Sequence, residues 1–203
     1  MLFRSAMYLR VAVLVAFALI LSACGDGASR PPPQFKSTDI TGVDWGRNFR
    51  LTDHNGNPRS LADFKGKVVM LFFGFTHCPD MCPMALSEMA LAVKQLGKDG
   101  DRVQGLFVTL DPKRDTREVL AQYVPAFNPS FFGLYADEAT TASTAKEFKI
   151  FYSPQTADAQ GNYTVDHTAA IYVFDAHGRL RLIMGAGRTV DAMAHDIRLL
   201  LTG

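Results

Sequence analysis

The 203-residue sequence predicts an α/β domain built on a mixed central sheet with helices on both faces, and three observations carry that prediction. Two apolar runs, Val68 to Phe75 and Val103 to Leu110, are hydrophobic on both sides, as buried parallel strands are. Each leads into a segment with helical character. Later, Asp175-Ala176-His177-Gly178 separates two short apolar stretches, which reads as an antiparallel hairpin. A hydrophobic content of 48% with 20% charged residues suits a globular chain and excludes both disorder and a multi-span membrane protein.

From the N-terminus, residues 1–23 read as an export leader: Arg4 and Arg10 are followed by the apolar run Val11 to Leu21, shorter than a spanning helix needs. The run closes on Leu21-Ser22-Ala23-Cys24, which resembles the lipobox of bacterial lipoproteins and marks Cys24 as the lipidation site. This predicts a chain in the bacterial cell envelope, lipid-anchored and facing the periplasm. Removing the leader, with two arginines and no acid, takes the net charge from +1 to −1, which offers nucleic acid nothing. Residues 24–39, with Ser29 and Pro31-Pro32-Pro33, read as a tether, and residues 40–203 as the folded domain.

Within the domain, Phe49 to Leu51 and the turn Asn55-Gly56-Asn57-Pro58 suggest a small hairpin. The strand ending at Phe75 is followed by a turn, Thr76 to Pro83, and a helix from Met84 to Leu96 with Leu86, Met89, Ala90 and Val93 on one side. After the second strand, Asp115 or Thr116 caps a helix that runs to Tyr123. Phe131 to Tyr135 is a short strand and Ala139 to Phe148 a helix; Ser153 to Thr164 is polar and reads as a loop or hairpin inserted before the next strand. Ala169 to Phe174 and Leu180 to Met184 form the late hairpin, and Val190 to Leu201 closes the chain as a helix. Strand, helix, strand, helix, hairpin, helix is the thioredoxin-like order, whose working residues lie beyond the carboxyl ends of the parallel strands.

There the sequence places Cys78-Pro79-Asp80-Met81-Cys82. Cysteines four apart at a helix start fall on one face, and the unpaired N–H groups of that start predict lowered thiol pKa values. A redox dithiol of this fold ordinarily uses Cys-x-x-Cys; the wider interval leaves room for an ion, and two soft donors point to Cu(I) or zinc. Of the five histidines, His167 stands where the chain enters a strand opposite the cysteine turn, a place usually held by proline in this layout, and is the predicted third ligand. Asp166 is a candidate partner for its ring. His54 and His177 fall in turns and are expected to be solvated, His195 sits on the last helix, and His77, Met81 and Met84 flank the cysteines as weaker candidates.

Three segments in order, Phe75-Thr76-His77-Cys78-Pro79-Asp80-Met81-Cys82-Pro83, Val108-Thr109-Leu110-Asp111-Pro112-Lys113-Arg114-Asp115-Thr116 and Val165-Asp166-His167-Thr168, make the chain resemble the Sco/SenC family of thioredoxin-like copper proteins. The resemblance implies Cys78, Cys82 and His167 as copper ligands and the inserted segment as the family's extra hairpin. It further implies delivery of copper to the Cu_A centre of cytochrome c oxidase. The same two cysteines also fit a thiol:disulfide oxidoreductase that keeps a copper-receiving partner reduced, or a copper or redox sensor, with a Cys78–Cys82 disulfide as an alternative state.

Overall fold

The computed structural model describes residues 33–185, 187 and 189–202. Its strands are Thr38–Asp39 (β1), Leu51–Asp53 (β2), Pro58–Arg59 (β3), Val68–Gly74 (β4), Val103–Thr109 (β5), Phe132–Tyr135 (β6), Tyr152–Pro154 (β7), Val165–His167 (β8), Ala170–Phe174 (β9) and Leu180–Gly185 (β10). The helices are Met81–Gln95 (α1), Arg117–Tyr123 (α2), Glu138–Glu147 (α3) and Val190–Thr202 (α4).

Eight strands form one sheet in the order β1-β10-β9-β4-β5-β6-β2-β3, while β7 and β8 pair in a separate ribbon. The middle of the sheet follows from sequence. All seven residues of β4 and of β5 are buried, so neither strand has a solvent side, and the two pair in parallel from Val68 opposite Val103 to Gly74 opposite Thr109. Alternation along β4 then divides the core. Val68, Met70 and Phe72 pack with residues of α1, α2 and α4, whereas Val69, Leu71 and Phe73 pack with Ala145 of α3 and with Phe148 and Ile150. Burying an aromatic or large aliphatic side chain contributes roughly 1.5–3 kcal/mol, so a strand filled on both sides is the most strongly held element of such a sheet.

The late hairpin forms as expected, with β9 flanking β4 and β10 outside it, both antiparallel. The early hairpin is also present, β2 against β3 across the turn at Asn55 to Asn57, where Asp53 accepts N–H groups from Asn55 and Asn57.

Most boundaries move by a residue or two from the sequence reading, and two differences change what belongs to an element. Helix α1 begins at Met81, not Met84, which brings Cys82 inside its first turn. Ordered chain also begins before Ile40. β1 pairs with β10, and the N–H groups of Lys36 and Ser37 each donate to the buried Asp196 carboxylate at 2.8 Å, so the last residues of the expected tether are part of the fold. Burial works against charge on Asp196, yet these donors and His195 outweigh it and hold its carboxyl below the usual range. The leader (1–23) and Cys24 lie outside the described residues.

Candidate metal centre

The site is built where β4 hands over to α1. Asp80 occupies the cap position of α1, but its side chain makes no capping hydrogen bond. A sulfur does that work instead: the N–H of Cys82 donates to Cys78 Sγ at 3.4 Å. Pro83 lies in the first turn, where a missing N–H costs the helix nothing. Cys78 is partly exposed and Cys82 fully buried, and both are free thiols. The Cys82 sulfur rests against the floor of the sheet. A Cβ placed on Gly74 would lie 2.7 Å from Cys82 Sγ and 2.9 Å from Phe107 Cε2, so only glycine leaves room for the sulfur there.

This burial overturns the expectation of a lowered thiol pKa at Cys82. Burial pushes the thiol well up; a backbone interaction at Phe75 opposes this, and the neighbouring Cys78 adds to it. A cation that takes this sulfur must therefore displace a proton.

His167 arrives from β8. Its Nε2 lies 3.7 Å from Cys82 Sγ, and its Nδ1 lies 2.9 Å from the carbonyl oxygen of Val165. A carbonyl only accepts, so Nδ1 carries the ring proton and Nε2 presents its lone pair to the sulfur. Edge contacts with Phe75 (5.7 Å between centroids) and Phe72 (6.4 Å) hold the ring between aromatic walls. The candidate partner Asp166 is elsewhere: strand alternation turns it outward, where it accepts from Gln155 Nε2 at 2.7 Å. The Val165 carbonyl orients the ring in its place.

Cys82 and His167 are thus in contact, with Cys78 in the turn just before the helix and its sulfur accepting the Cys82 N–H, although among the described residues no three His, Cys, Asp or Glu side chains already stand as a closed metal-binding group. Two soft sulfurs and one imidazole nitrogen form a donor set suited to a thiophilic ion. The other candidates stand apart. His77 is exposed, with Nδ1 3.2 Å from Thr76 Oγ1 and 3.7 Å from Asp115 Oδ1. Met81 and Met84 are exposed, and His177 is too. His195 pairs with Asp196. His54, expected to be solvated, is buried instead. Its Nδ1 accepts the N–H of Gly133 at 3.0 Å, and burial, only partly offset by Asp53, holds its pKa down.

Sequence reasoning missed the residues that fix the site's two halves. Asp115, expected as a possible helix cap, is buried. It accepts from the Thr76 backbone N–H (3.0 Å), the Thr76 hydroxyl and the Thr109 hydroxyl (2.6 Å), tying the cysteine turn to the end of β5. Thr116 is the cap of α2. Asp111 accepts from Arg114 and from Tyr163 Oη (2.8 Å), and Arg114 Nη1 donates to the Tyr163 carbonyl (2.8 Å) with its guanidinium 3.5 Å from the Tyr163 ring centroid. Because Tyr163 leads directly into β8, this clamp holds the ribbon that carries His167. A cavity of about 590 Å³ beside the ribbon, lined by Asp111, Lys113, Tyr152 and Tyr163 among others, contains none of the three donors.

Comparison with known proteins accounts for this arrangement. The SCO1/SenC family model matches residues 38–202. The chain belongs to the SCO1/SenC family. It is 37% identical over 153 residues to the mitochondrial SCO2 homolog of Mus musculus, an alignment covering 74% of this chain and 60% of that protein, so the match spans well under two thirds of the relative's length. Among solved structures, ScoI of Bradyrhizobium japonicum with copper bound is 37% identical with a TM-score of 0.69, covering 75% of this chain and 97% of the other. Apo Sco1 of Thermus thermophilus is also 37% identical, with a TM-score of 0.74 over 84% of this chain and 99% of the other. The mixed sheet with flanking helices is therefore the Sco form of the thioredoxin-like fold.

Proposed function

We propose that this chain is a copper metallochaperone that holds its cargo through Cys78 Sγ, Cys82 Sγ and His167 Nε2 and delivers it to the Cu_A site of cytochrome c oxidase. The observation that carries the reading is the 3.7 Å approach of Nε2 to Cys82 Sγ, made by side chains 85 residues apart, with Nδ1 already engaged by a carbonyl. That engagement leaves one nitrogen lone pair and directs it at a sulfur, as a ligand histidine requires. Two sulfurs and a nitrogen suit Cu(I), and an added oxygen donor from solvent suits Cu(II). The Bradyrhizobium relative, described with copper bound, supports the choice of ion.

Each ligand loses a proton or keeps a lone pair in a defined way. Cys82 gives up its thiol proton on binding, and His167, with Nδ1 held at the Val165 carbonyl, binds through Nε2. The test is copper stoichiometry and affinity of the full chain and of His167→Ala. One copper per chain is expected, with Cu(II) retention falling at least about a hundredfold on loss of a first ligand if partner effects of 10- to 100-fold are the lower bound. Unchanged retention would remove His167 from the ligand set.

A second reading is thiol:disulfide exchange, favoured by the N–H to sulfur contact that joins Cys78, in the turn before α1, to Cys82 in its first turn. Turnover on a disulfide in a Cu_A domain that survives His167→Ala and stops in Cys78→Ser would select it. We extend the proposal to location: residues 1–23 as leader, a shortened tether linking Cys24 to a domain whose ordered chain includes Lys36 to Asp39, and a lipid on Cys24 holding it at the periplasmic face of the inner membrane. Mass spectrometry of the mature N-terminal peptide tests the lipid directly.

A further inference from the structure

The cysteines follow the end of β4, whereas the late hairpin turn follows Phe174, which pairs with Val69 at the start of β4. That far end of the sheet is basic. The N–H of Gly66 donates to the Ala176 carbonyl at 2.9 Å, and the N–H of Gly46 to the Glu147 carbonyl at 3.1 Å, so the loop before β4 is pinned to the hairpin turn and residues 45–47 to the end of α3. A recess of about 560 Å³ is lined by Trp45, Arg47, Arg179 and Arg181 among others, and a smaller one of about 190 Å³ joins Arg47 to Lys65. Lys149 Nζ stands 4.8 Å from the Trp45 ring centroid.

The acids nearby leave much of this charge facing outward. Asp175 is buried and binds Arg179 and Arg181 at 2.8 and 3.1 Å, which fixes both guanidiniums in place. Glu147 accepts the backbone N–H of Arg47, Asp63 is tied to Ser60, and Asp44 is an exposed negative charge beside Trp45. Arg47 and Lys65 are exposed, and among the described residues no acid pairs with either side chain. An indole set among cations suits a bilayer surface, with the ring at headgroup depth and the cations on lipid phosphates. The chain also enters the fold beside this cluster, for the Arg181 guanidinium lies 5.8 Å from the Phe35 ring centroid. From Cys24 to Gln34 the sequence reaches about 35 Å at full extension, which keeps the domain close to any membrane that holds Cys24.

We propose that this basic, tryptophan-bearing end docks on an anionic phospholipid surface, with lipid phosphates meeting Arg47, Lys65 and Arg179. The inference rests on the Cys24 lipid reading for its nearness to the bilayer and is independent of the copper reading. Docking sets an orientation that a tether alone does not. A strand of seven residues spans about 20 Å, so with the start of β4 against the membrane the cysteine turn is held away from it and open to a partner.

The experiment places the full lipid-bearing chain on vesicles of phosphatidylcholine alone or of phosphatidylcholine and phosphatidylglycerol in equal parts, each with some acyl chains brominated. Trp45 is the chain's single tryptophan, so its quenching by bromine reports this face directly. Quenching is expected on the anionic vesicles only, and it fades as salt rises. Reversing Arg47→Glu and Lys65→Glu together, with an unchanged melting temperature, should weaken docking at least about twenty-fold, since each cation near such a surface contributes roughly fivefold. Equal quenching on both vesicles, or none on either, overturns the proposal, as does quenching on anionic vesicles that salt leaves intact. The same change in Trp45 emission on adding glycerol phosphate without vesicles would make the recess a small-anion site and also overturn it. A chain that does not float with neutral vesicles overturns the lipid on Cys24 instead, and salt-sensitive flotation with the anionic vesicles then decides the docking face.

Discussion

Cys82 and His167 meet at 3.7 Å, yet they are supplied by regions held in opposite ways. The cysteine comes from a corner made of the most buried strand and a helix whose inner side, Ala85, Leu86, Met89, Ala92 and Val93, is packed into the core. The histidine comes from a two-stranded ribbon of three residues a side, apart from the main sheet, in which Val165 is the buried anchor. Apolar packing fixes the sulfur, and the polar clamp of Asp111, Arg114 and Tyr163 fixes the ring. Packing resists displacement from every direction, whereas a clamp opens when one hydrogen bond is removed. One half of the site is therefore as stable as the fold, and the other can loosen while the fold persists.

The largest break in this contrast should come from Asp115→Ala, which strips the acceptor from the Thr76 N–H and the Thr76 and Thr109 hydroxyls. With a buried unsatisfied group costing about 1–3 kcal/mol, a loss of roughly 3 kcal/mol is expected in denaturant unfolding, together with faster amide exchange at the cysteine turn. Next comes Gly74→Ala, whose methyl would strike both Cys82 Sγ and Phe107. Overpacking of this kind costs about 1–3 kcal/mol, and here it should also displace the sulfur and lower copper affinity. Equal affinity in a stably folded Gly74→Ala protein would show that the dry corner does not set the sulfur's position.

The ribbon should respond to alkali where the corner does not. Burial, and then the bond to Asp111, raise the Tyr163 pKa above 10.0. The neutral phenol is thus favoured in the folded state, and its contribution is full below about pH 10, then lost as pH rises through the raised value. Amide exchange in β7 and β8 should accelerate above pH 10 ahead of exchange in β4. Tyr163→Phe should abolish that alkaline step and cost about 1 kcal/mol at neutral pH. The smallest effect belongs to Asp166→Asn. Its side chain faces solvent toward Gln155, so stability should change by less than about 0.5 kcal/mol and copper affinity should not change.

The same contrast governs what could be read from sequence. The corner was legible because its signals are local: the apolar runs of β4 and β5, the Asn-Gly turn between β2 and β3, and two cysteines four residues apart at a helix start are all contiguous. Burial of Cys82 was not, since it depends on a missing Cβ on Gly74, eight residues back on a different element. The clamp was visible only as a motif, because the bonds of Tyr163 to Arg114 and Asp111 span 49 and 52 residues. His54 looked like a turn residue until folding brought the Gly133 N–H to it from 79 residues away. Asp166 failed as a partner for His167 for a reason the sequence does contain, the two-residue period of a strand.

The recess that receives the Cys82 sulfur has a consequence for traffic at this surface. With that sulfur fully enclosed by sheet, helix and Phe107, and Cys78 partly open to solvent, any large visitor meets the pair from one side only. Whatever is exchanged with another protein, an ion or a bond, must pass the outer thiol first and reach the inner one second.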